Sequence, residues 1–346
     1  MTDQVWTLRH ELAVLGSGVA LPGAPVSTDA LVAMIEQRFG FARCKQALAI
    51  ARRLDIRSRH VSRAFEARHE DALPGRTNPD LAAKAVQAAL DDAGLAIGDL
   101  GYLIGHTTTP EQLLPPNIAL VADRLGYRGP FVELRQACTG FANALMIACG
   151  LLADAGSAPV AIVGSETGSL FFDPGSLDDE AGQIVNLIQM GDGAGAVILG
   201  PRRSTGDAIV AGWFGAAGLG REPGIQLKSG ATEFDHDFAA VAAHGPALFE
   251  AGAQVLARLG YPLAGCDWIV PHQVSGKIGA LAADHFTLPP ERFFGNAAHI
   301  GNTGSAAIWI ALSELRQRGL APAATLATLG AEASKFMHGG FVYRHG

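Results

Sequence analysis

The chain predicts an α/β fold made of two duplicated βαβαβ-type halves with mostly parallel mixed sheets, and three internal correspondences predict it. The segment Ala137-Cys138-Thr139-Gly140-Phe141-Ala142 repeats as Gly301-Asn302-Thr303-Gly304-Ser305-Ala306, which sets Cys138 against Asn302 at an offset of 164. Upstream, Tyr102 and His106 correspond to Trp268 and His272 at an offset of 166. Downstream, Val160 to Val163 leading into Gly164-Ser165-Glu166 corresponds to Leu326 to Leu329 leading into Gly330-Ala331-Glu332, again at 166. Nearly constant offsets across three elements argue for duplication. If the halves pack about a pseudo-twofold, their Thr-Gly turns approach each other near the axis, and Cys138, Asn302 and His272 converge on one pocket. The divide falls near Pro201, so residues 1–200 carry the cysteine and 201–346 carry His272 and Asn302.

The elements follow in order. A strand over Glu11 to Val19 ends in a Gly/Pro loop, and apolar positions at helical spacing run from about Thr28 to Leu54. Asn78-Pro79-Asp80 opens a helix over Leu81 to Ala93 that stops at Gly94. Tyr102 to Gly105 and Phe131 to Leu134 read as buried strands, and an apolar helix spans Thr139 to Ala153. The second half repeats the order with a helix over Phe238 to Leu259, a strand over Trp268 to Val270, and helices over Ser275 to His285 and Thr303 to Arg316. Strands alternating with helices imply a sheet covered on both faces in each half. Five layers follow if the halves share a central helical layer.

Composition excludes several classes. At 346 residues the chain builds a full core, and a charged fraction of 17% beside a hydrophobic fraction of 49% suits an oligomeric, mostly buried enzyme. A net charge of -7 argues against nucleic acid as a partner. No apolar run is long enough for a membrane span, and the N-terminus lacks the regions of a secretory signal, which places the protein in the cytoplasm. The four cysteines, Cys44, Cys138, Cys149 and Cys266, have neither metal-ligand spacing nor the density of a disulfide scaffold, so free thiols are expected. Gly191-Asp192-Gly193-Ala194-Gly195-Ala196 formally fits a dinucleotide fingerprint, but it leads into the strand Val197-Ile198-Leu199 rather than a helix, so that reading is rejected. Asp235-His236-Asp237 reads as a surface loop rather than a metal site, and no metal or other cofactor is expected.

The chemistry turns on Cys138. A thiol at a helix start faces unpaired backbone N–H groups and the positive end of the dipole, which lowers its pKa and favours the thiolate. Such a cysteine accepts an acyl group from a thioester, exchanging one thioester for another. Cys149, on the same helix, reads as core. His272 follows a buried strand, where loops at the carboxyl ends of parallel strands line a crevice, and its imidazole suits hydrogen bonding to an enolate or proton transfer. Asn302 does not titrate, so its natural role is an amide donor to the same oxygen. His106 reads as structural despite being the duplicate of His272. Glu166 and Glu332 are acids beside glycines at strand ends, and one of them is expected at the pocket. Arg52, Arg53, Arg57, Arg59 and Arg63 crowd one stretch, either as a solvated helix end or as a patch for a phosphate-bearing or acidic partner.

Gln136-Ala137-Cys138-Thr139-Gly140-Phe141, Gly191 to Ala196, Pro271-His272-Gln273 and Gly301-Asn302-Thr303-Gly304 resemble four signatures of the ketoacyl-ACP synthase III family of the thiolase superfamily. Ile56-Arg57-Ser58-Arg59-His60 resembles a further segment of it, so the likeness spans nearly the whole chain. The resemblance implies a thiolase-like five-layered fold and a homodimer. It also implies a Cys-His-Asn triad in which Cys138 is acylated while His272 and Asn302 stabilise the carbanion left when a malonyl thioester loses carbon dioxide. Attack of that carbanion on the acyl-enzyme gives a β-ketoacyl product. The implied partners are acyl-CoA and malonyl thioesters and an acyl carrier protein, with no cofactor beyond them. Lys277 and the arginines of the cluster, Arg57 and Arg59 among them, are candidates for meeting phosphates or the acidic carrier.

The sequence departs from the family pattern in three places. Ser275 stands where the family usually has Asn after the histidine. The glycine-rich loop that follows the penultimate strand, bordering the active site in relatives, reads Gly330-Ala331-Glu332-Ala333-Ser334-Lys335-Phe336-Met337-His338 here. Phe171 to Ile188, with Asp173, Asp178, Asp179 and Glu180, is placed to reshape the entrance. These departures point to a specialised condensing enzyme. Two alternatives stay open: transfer of the acyl group to an alcohol or amine, or non-decarboxylative condensation of two acyl thioesters; and a silent partner subunit of a heteromeric enzyme.

Overall fold

The computed structural model describes residues 4–65, 72–178, 181–228 and 233–346. Asp179 and Glu180, named above at the entrance, lie outside the described residues. Ten strands form one mixed sheet: β1 (Trp6–Thr7), β2 (Leu12–Ala20), β3 (Tyr102–His106), β4 (Phe131–Leu134), β5 (Val160–Glu166), β6 (Gly193–Gly200), β7 (Ala208–Ala216), β8 (Trp268–Pro271), β9 (Thr325–Glu332) and β10 (Met337–Arg344). Their order is β8-β9-β10-β7-β2-β6-β5-β3-β4, with β1 on the flank of β7. The pairs β3–β4, β3–β5 and β8–β9 are parallel and the others antiparallel.

The duplication is written in this order. β4-β3-β5-β6-β2 on one side matches β8-β9-β10-β7 on the other, and the missing counterpart of β4 survives as a parallel bridge between Ile269 and Phe293. The two series join where β2 pairs β7 through Leu12↔Ile209 and Ala13↔Ala208.

The expected helix over Thr28 to Leu54 is two helices, α1 (Thr28–Phe39) and α2 (Cys44–Leu54). Gly40 breaks it: with φ of 74° it takes the left-handed conformation and donates its N–H to Glu36 O, closing α1. In α3 (Asn78–Ala93), Thr77 and Asp80 form a capping box and Gly94 supplies the left-handed stop. The chain continues through α4 (Asn117–Leu125), α5 (Gly140–Leu151), α6 (Ala181–Gln189), α7 (Phe238–Arg258), α8 (Ile278–Phe286), α9 (Ala297–Ile300) and α10 (Ala307–Arg318).

The central strands are buried along their whole length, and successive residues face opposite cores, as strands covered on both faces require. On β5, Val160 and Ile162 join a core with α5 and α10, whereas Ala161 and Val163 join a different one with α3 and α4. On the other series, Ala327 and Leu329 pack with Val255 and Leu256 of α7 and Ala282 and Ala283 of α8, while Leu326 faces α5 and α10. Five layers result: α3/α4, strands, α5/α10, strands, α7/α8. In the central layer Phe141 meets Trp309 and Phe341 edge-on at centroid separations of 5.9 and 5.8 Å, and the latter two rings stack at 5.5 Å. Each such pair adds about 0.5–1.5 kcal/mol beyond the area it buries. These pairs tie the halves together at the roots of the two duplicated turns.

The Gly191 to Ala196 motif serves packing. A Cβ on Gly191 would lie 1.9 Å from Ile300 O, and one on Gly195 would lie 2.7 Å from Ile310 N and 2.8 Å from the Trp309 Cβ. The glycines let β6 lie against the start of α10, while the buried Asp192 accepts N–H bonds from Ser62 at 2.7 Å and Ser169 at 3.0 Å. Gly191→Ala therefore forces two backbones apart, and chemical denaturation should record a loss of about 1–3 kcal/mol; unchanged stability would contradict the contact.

Candidate active site

The two repeated turns are held by carboxylates that cross between the halves. β4 ends at Leu134 and the chain enters α5 through Cys138. Here Glu332, from the end of β9, accepts the Thr139 N–H at 2.9 Å, the Thr139 hydroxyl at 2.7 Å and the Ala137 N–H at 3.4 Å. At the other turn Glu166, from the end of β5, accepts the N–H of Ser305 at 3.4 Å and also its hydroxyl. Glu166 accepts in addition the Thr108 N–H at 3.0 Å and the hydroxyls of Thr108 and Thr109. Each half thus supplies the acid that fixes the other half's helix start.

Asn302 is fixed from its main chain. Its N–H donates to Gln189 O at 2.8 Å, and its carbonyl accepts the Gly191 N–H at 3.0 Å. Its Oδ1 accepts the Gly304 N–H at 2.9 Å, so the side-chain NH₂ is the group left to donate.

Cys138 and Asn302 share the wall of one cavity of about 120 Å³, which opens to solvent. Glu166, Thr108 and Thr109 line it beside the thiol, and Phe171, Phe172, Ile225 and Phe234 supply apolar surface. Phe171 and Phe172 lie in the segment expected to shape the entrance. Asp178 ties that segment to the α1–α2 junction by accepting the Ala42 N–H at 3.1 Å.

His272, expected in the same pocket, is buried and is not among the residues that line this cavity. It directly follows β8, and its N–H donates to Leu329 O at 2.8 Å, three residues before Glu332 on β9. The Cys138 turn and His272 therefore flank the same strand end. Neither ring nitrogen of His272 has a partner among the described residues, and burial lowers its pKa to about 4, so the ring is a neutral imidazole. His106 differs: its Nε2 accepts the Trp309 indole N–H at 3.1 Å, and burial lowers its pKa to about 3. That bond agrees with the structural reading of His106.

The expected lowering of the Cys138 pKa does not occur. Burial, followed by the negative charges of Glu332 and Glu166, raises the thiol well above its ordinary value of 9.0. The reason lies in the turn. The N–H groups of Ala137 and Thr139, which a thiolate at a helix start would use, are already given to Glu332. The resting site holds a thiol. Burial likewise pushes the Glu166 carboxyl above its ordinary range, against hydrogen bonds from Ser305, Thr109 and Thr108.

The peripheral expectations separate. Arg59 is fully buried and donates to Ile188 O at 2.7 Å, which removes it from any surface site; a guanidinium placed to join α6 to the chain before α3 has no route to a phosphate outside. Arg63 is buried as well and donates to Phe172 O at 2.9 Å. Arg52, Arg53 and Arg57 are exposed, Arg57 paired with Asp55 at 2.9 Å. Lys277 is exposed at the start of α8, and the Gly276 N–H beside it donates to Leu54 O at 2.9 Å, so the two basic segments adjoin. Ser275 is buried in that same turn. Gly330 and Ala331 are ladder residues of β9, paired with Gly339 and His338, rather than loop residues. Gly330 lies under the Phe141 ring, so neither residue lines the cavity. The segment from Ala333 to Phe336 is a tight hairpin.

Sequence reasoning missed several cavity residues, Thr108 and Thr109 among them, and three come from segments it read otherwise or passed over. His236 belongs to a short strand, Asp235–His236, paired with Ile225–Gln226, and lines the cavity rather than a surface loop. Asn186 and Gln189 come from α6, whose apolar pattern conceals them. Among the described residues no group of three or more His, Cys, Asp or Glu side chains could hold a metal ion, and no helix is long and apolar enough to cross a membrane.

Alkylation of Cys138 by iodoacetamide, followed by mass spectrometry against pH, should have its midpoint above 9.0 in the free protein. Glu332→Gln removes one negative charge and should move that midpoint down; a wild-type midpoint near neutrality would contradict the electrostatics described.

Residues 132–218 match the family described as 3-oxoacyl-(acyl-carrier-protein) synthase III, and residues 256–344 match the C-terminal portion of that enzyme. A β-ketoacyl-(acyl-carrier-protein) synthase III of Rhodobacter capsulatus is 32% identical, with 84% of this chain and 89% of the relative covered. One of Streptomyces coelicolor, numbered synthase III 2, is 32% identical over 90% of this chain and 87% of its own. Among solved structures, a tetronic acid condensing enzyme superposes with a TM-score of 0.84 at 27% identity, covering 97% of this chain and all 100% of its own. The 3-oxoacyl-(acyl carrier protein) synthase III of Pseudomonas aeruginosa PAO1 superposes with a TM-score of 0.79 at 28% identity, covering 97% and 98%. The chain belongs to the 3-oxoacyl-(acyl-carrier-protein) synthase III family of acyltransferase-type condensing enzymes, built on the thiolase fold.

Proposed function

We propose that the protein takes an acyl group onto Cys138 from a thioester and condenses it, with decarboxylation, with a malonyl or related thioester to give a β-ketoacyl product. What carries this reading is the meeting of the two duplicated turns on one cavity wall, with a thiol on one and a free amide donor on the other. In the first half-reaction Cys138 Sγ bonds to the acyl carbon as the bond to the pantetheine sulfur breaks. The thiol proton leaves with the departing thiol, by way of the His272 imidazole. A neutral imidazole accepts that proton and returns it, which suits a site whose resting cysteine is protonated.

In the second half-reaction the malonyl thioester oxygen gains negative charge as carbon dioxide departs. The Asn302 NH₂ and the imidazole N–H are the donors assigned to it. The carbanion then attacks the acyl carbon as its bond to Cys138 Sγ breaks, and the sulfur leaves as a thiolate that takes a proton from solvent to restore the thiol. Arg57 and Lys277, with Arg52 and Arg53, form the exposed basic rim assigned to the phosphates of acyl-CoA or to an acidic acyl carrier protein; Arg59 is withdrawn from that role. A division into thiolase-like halves near Pro201 and assembly as a homodimer complete the proposal. β4, with Phe131 exposed, is the edge strand left for a second copy.

The name of the tetronic acid condensing enzyme, at 27% identity, favours a specialised condensing role over a housekeeping one. Transfer without decarboxylation is separated from this reading by product mass.

Cys138→Ala should abolish the acyl adduct seen by intact-protein mass spectrometry while leaving the fold intact; retained turnover would sink the nucleophile. Asn302→Ala should lower condensation with malonyl-CoA by about 100- to 1,000-fold while self-acylation changes only a few-fold. Equal losses in the two half-reactions would contradict its role.

A further inference from the structure

The cavity that holds Cys138 is polar around the thiol, where Thr108, Thr109, Glu166 and Asn302 line it, and two further polar residues stand in its apolar wall. Phe171, Phe172, Ile225 and Phe234 make a wall suited to a hydrocarbon, yet Asn186 and His236 stand among them. The orientation of Asn186 is determined by its surroundings. Its NH₂ donates to Phe234 O at 3.1 Å and to Gln183 Oε1 at 3.1 Å, and the Gln183 NH₂ donates to the same carbonyl at 3.1 Å. A main-chain carbonyl only accepts, so the Asn186 amide is not reversible, and its Oδ1 is left as a buried acceptor with no partner among the described residues.

His236 presents the matching case. Its ring stacks on Phe238 at 4.9 Å and tilts against Phe234 at 6.5 Å, which fixes its plane, and its Nδ1 is buried without a hydrogen-bond partner among the described residues. Burial lowers its pKa to about 4, so the ring is neutral and Nδ1 is a hydrogen-bonding group rather than a charge. Plain alkyl chains in this cavity would leave both polar atoms unsatisfied, a cost that a hydrogen-bonding ligand recovers.

We propose that the acyl group taken up by this cavity bears a hydroxyl, and that Asn186 Oδ1 and His236 Nδ1 bind it, the hydroxyl donating to the amide oxygen and bonding the imidazole nitrogen. The inference rests on the reading of Cys138 as the acylated residue and adds the class of acyl group to it. Asn186 and His236 are specificity residues in this account and take no part in bond making.

The test uses the full chain and pantetheine thioesters in matched pairs: hexanoyl against omega-hydroxyhexanoyl, and benzoyl against para-hydroxybenzoyl. The rate of adduct formation at Cys138 is followed by intact-protein mass spectrometry. The hydroxylated member of at least one pair should react about tenfold faster or more, because a site built around a hydroxyl rejects the analogue that lacks it. Asn186→Leu and His236→Phe should each shrink that advantage chiefly by slowing the hydroxylated member. Unsubstituted acyl groups that react as fast as their partners in both pairs would overturn the inference while leaving the acyl-enzyme reading intact. No adduct from any of the four would overturn that reading instead. An advantage surviving both substitutions would overturn the assignment to these two residues. The wild-type comparison decides the matter even where a variant fails to fold.

Discussion

The site depends on an exchange of carboxylates between the two halves. Glu332 and Glu166 occupy the same place in the repeat, at the ends of β9 and β5, and each reaches the helix start of the opposite half. A carboxylate that accepts two backbone N–H groups and a hydroxyl positions the peptide planes around it more tightly than apolar packing does, because hydrogen bonds are directional. If Glu332 moves, the Cys138 turn moves with it. The aromatic contacts of Phe141, Trp309 and Phe341 lie directly beneath and carry the same coupling through the central helices.

That arrangement has an electrostatic cost, which bears on mechanism. Two acids near the thiol oppose its ionisation, and Glu332 uses the N–H groups that would otherwise stabilise a thiolate. The site therefore gains a fixed cysteine and loses the activation that a bare helix start supplies. Under the proposed mechanism His272, held neutral by burial, would serve as the proton acceptor, and such a step requires no thiolate in the resting protein. A reactive thiolate held permanently in an open cavity would also be exposed to oxidation and to chance electrophiles, and a protonated cysteine avoids both.

Much of this was legible in the residues, and what was not has physical causes. The repeat offsets pair Cys138 with Asn302, and those two turns share a cavity wall because duplication preserves strand order, and strand order decides which turns meet; His272 does not line that cavity. Gly40 was harder to read, since one glycine in an apolar periodic run either bends a helix or ends it. Arg59 was misjudged because charge alone says nothing of burial, and this guanidinium gives up solvent for a main-chain carbonyl. The bonds of Glu332 cross almost two hundred residues, beyond any local pattern. Gly330 and Ala331 look like loop because Gly and small residues usually mark one, yet here they are the pair that lets β9 and β10 approach beneath Phe141. Asn186 falls within the Phe171 to Ile188 segment expected at the entrance, but nothing in the residues around it singles it out.

Duplication followed by divergence also explains why only one histidine of the pair is available for chemistry. His106 and His272 end equivalent strands, but His106 accepts the Trp309 indole N–H and so gives its Nε2 to the core. That tautomer leaves Nδ1 carrying the proton, and His106 packs against Gly140 and Gly164, where a Cβ would lie 2.7 and 2.6 Å from the ring. Filling that space with imidazole and indole closes one side of the pseudo-twofold. On the other side no indole meets His272, and both ring nitrogens stay uncommitted. The same divergence separates Cys138 from Asn302, so that one half presents a group able to form a covalent bond and the other presents groups that only donate hydrogen bonds. A symmetric ancestor with two equal turns could hold two like groups in one pocket. The two pairs of positions thus differ in kind: a thiol stands against an amide at the turns, and at the strand ends an imidazole given to an indole stands against one without a hydrogen-bond partner among the described residues.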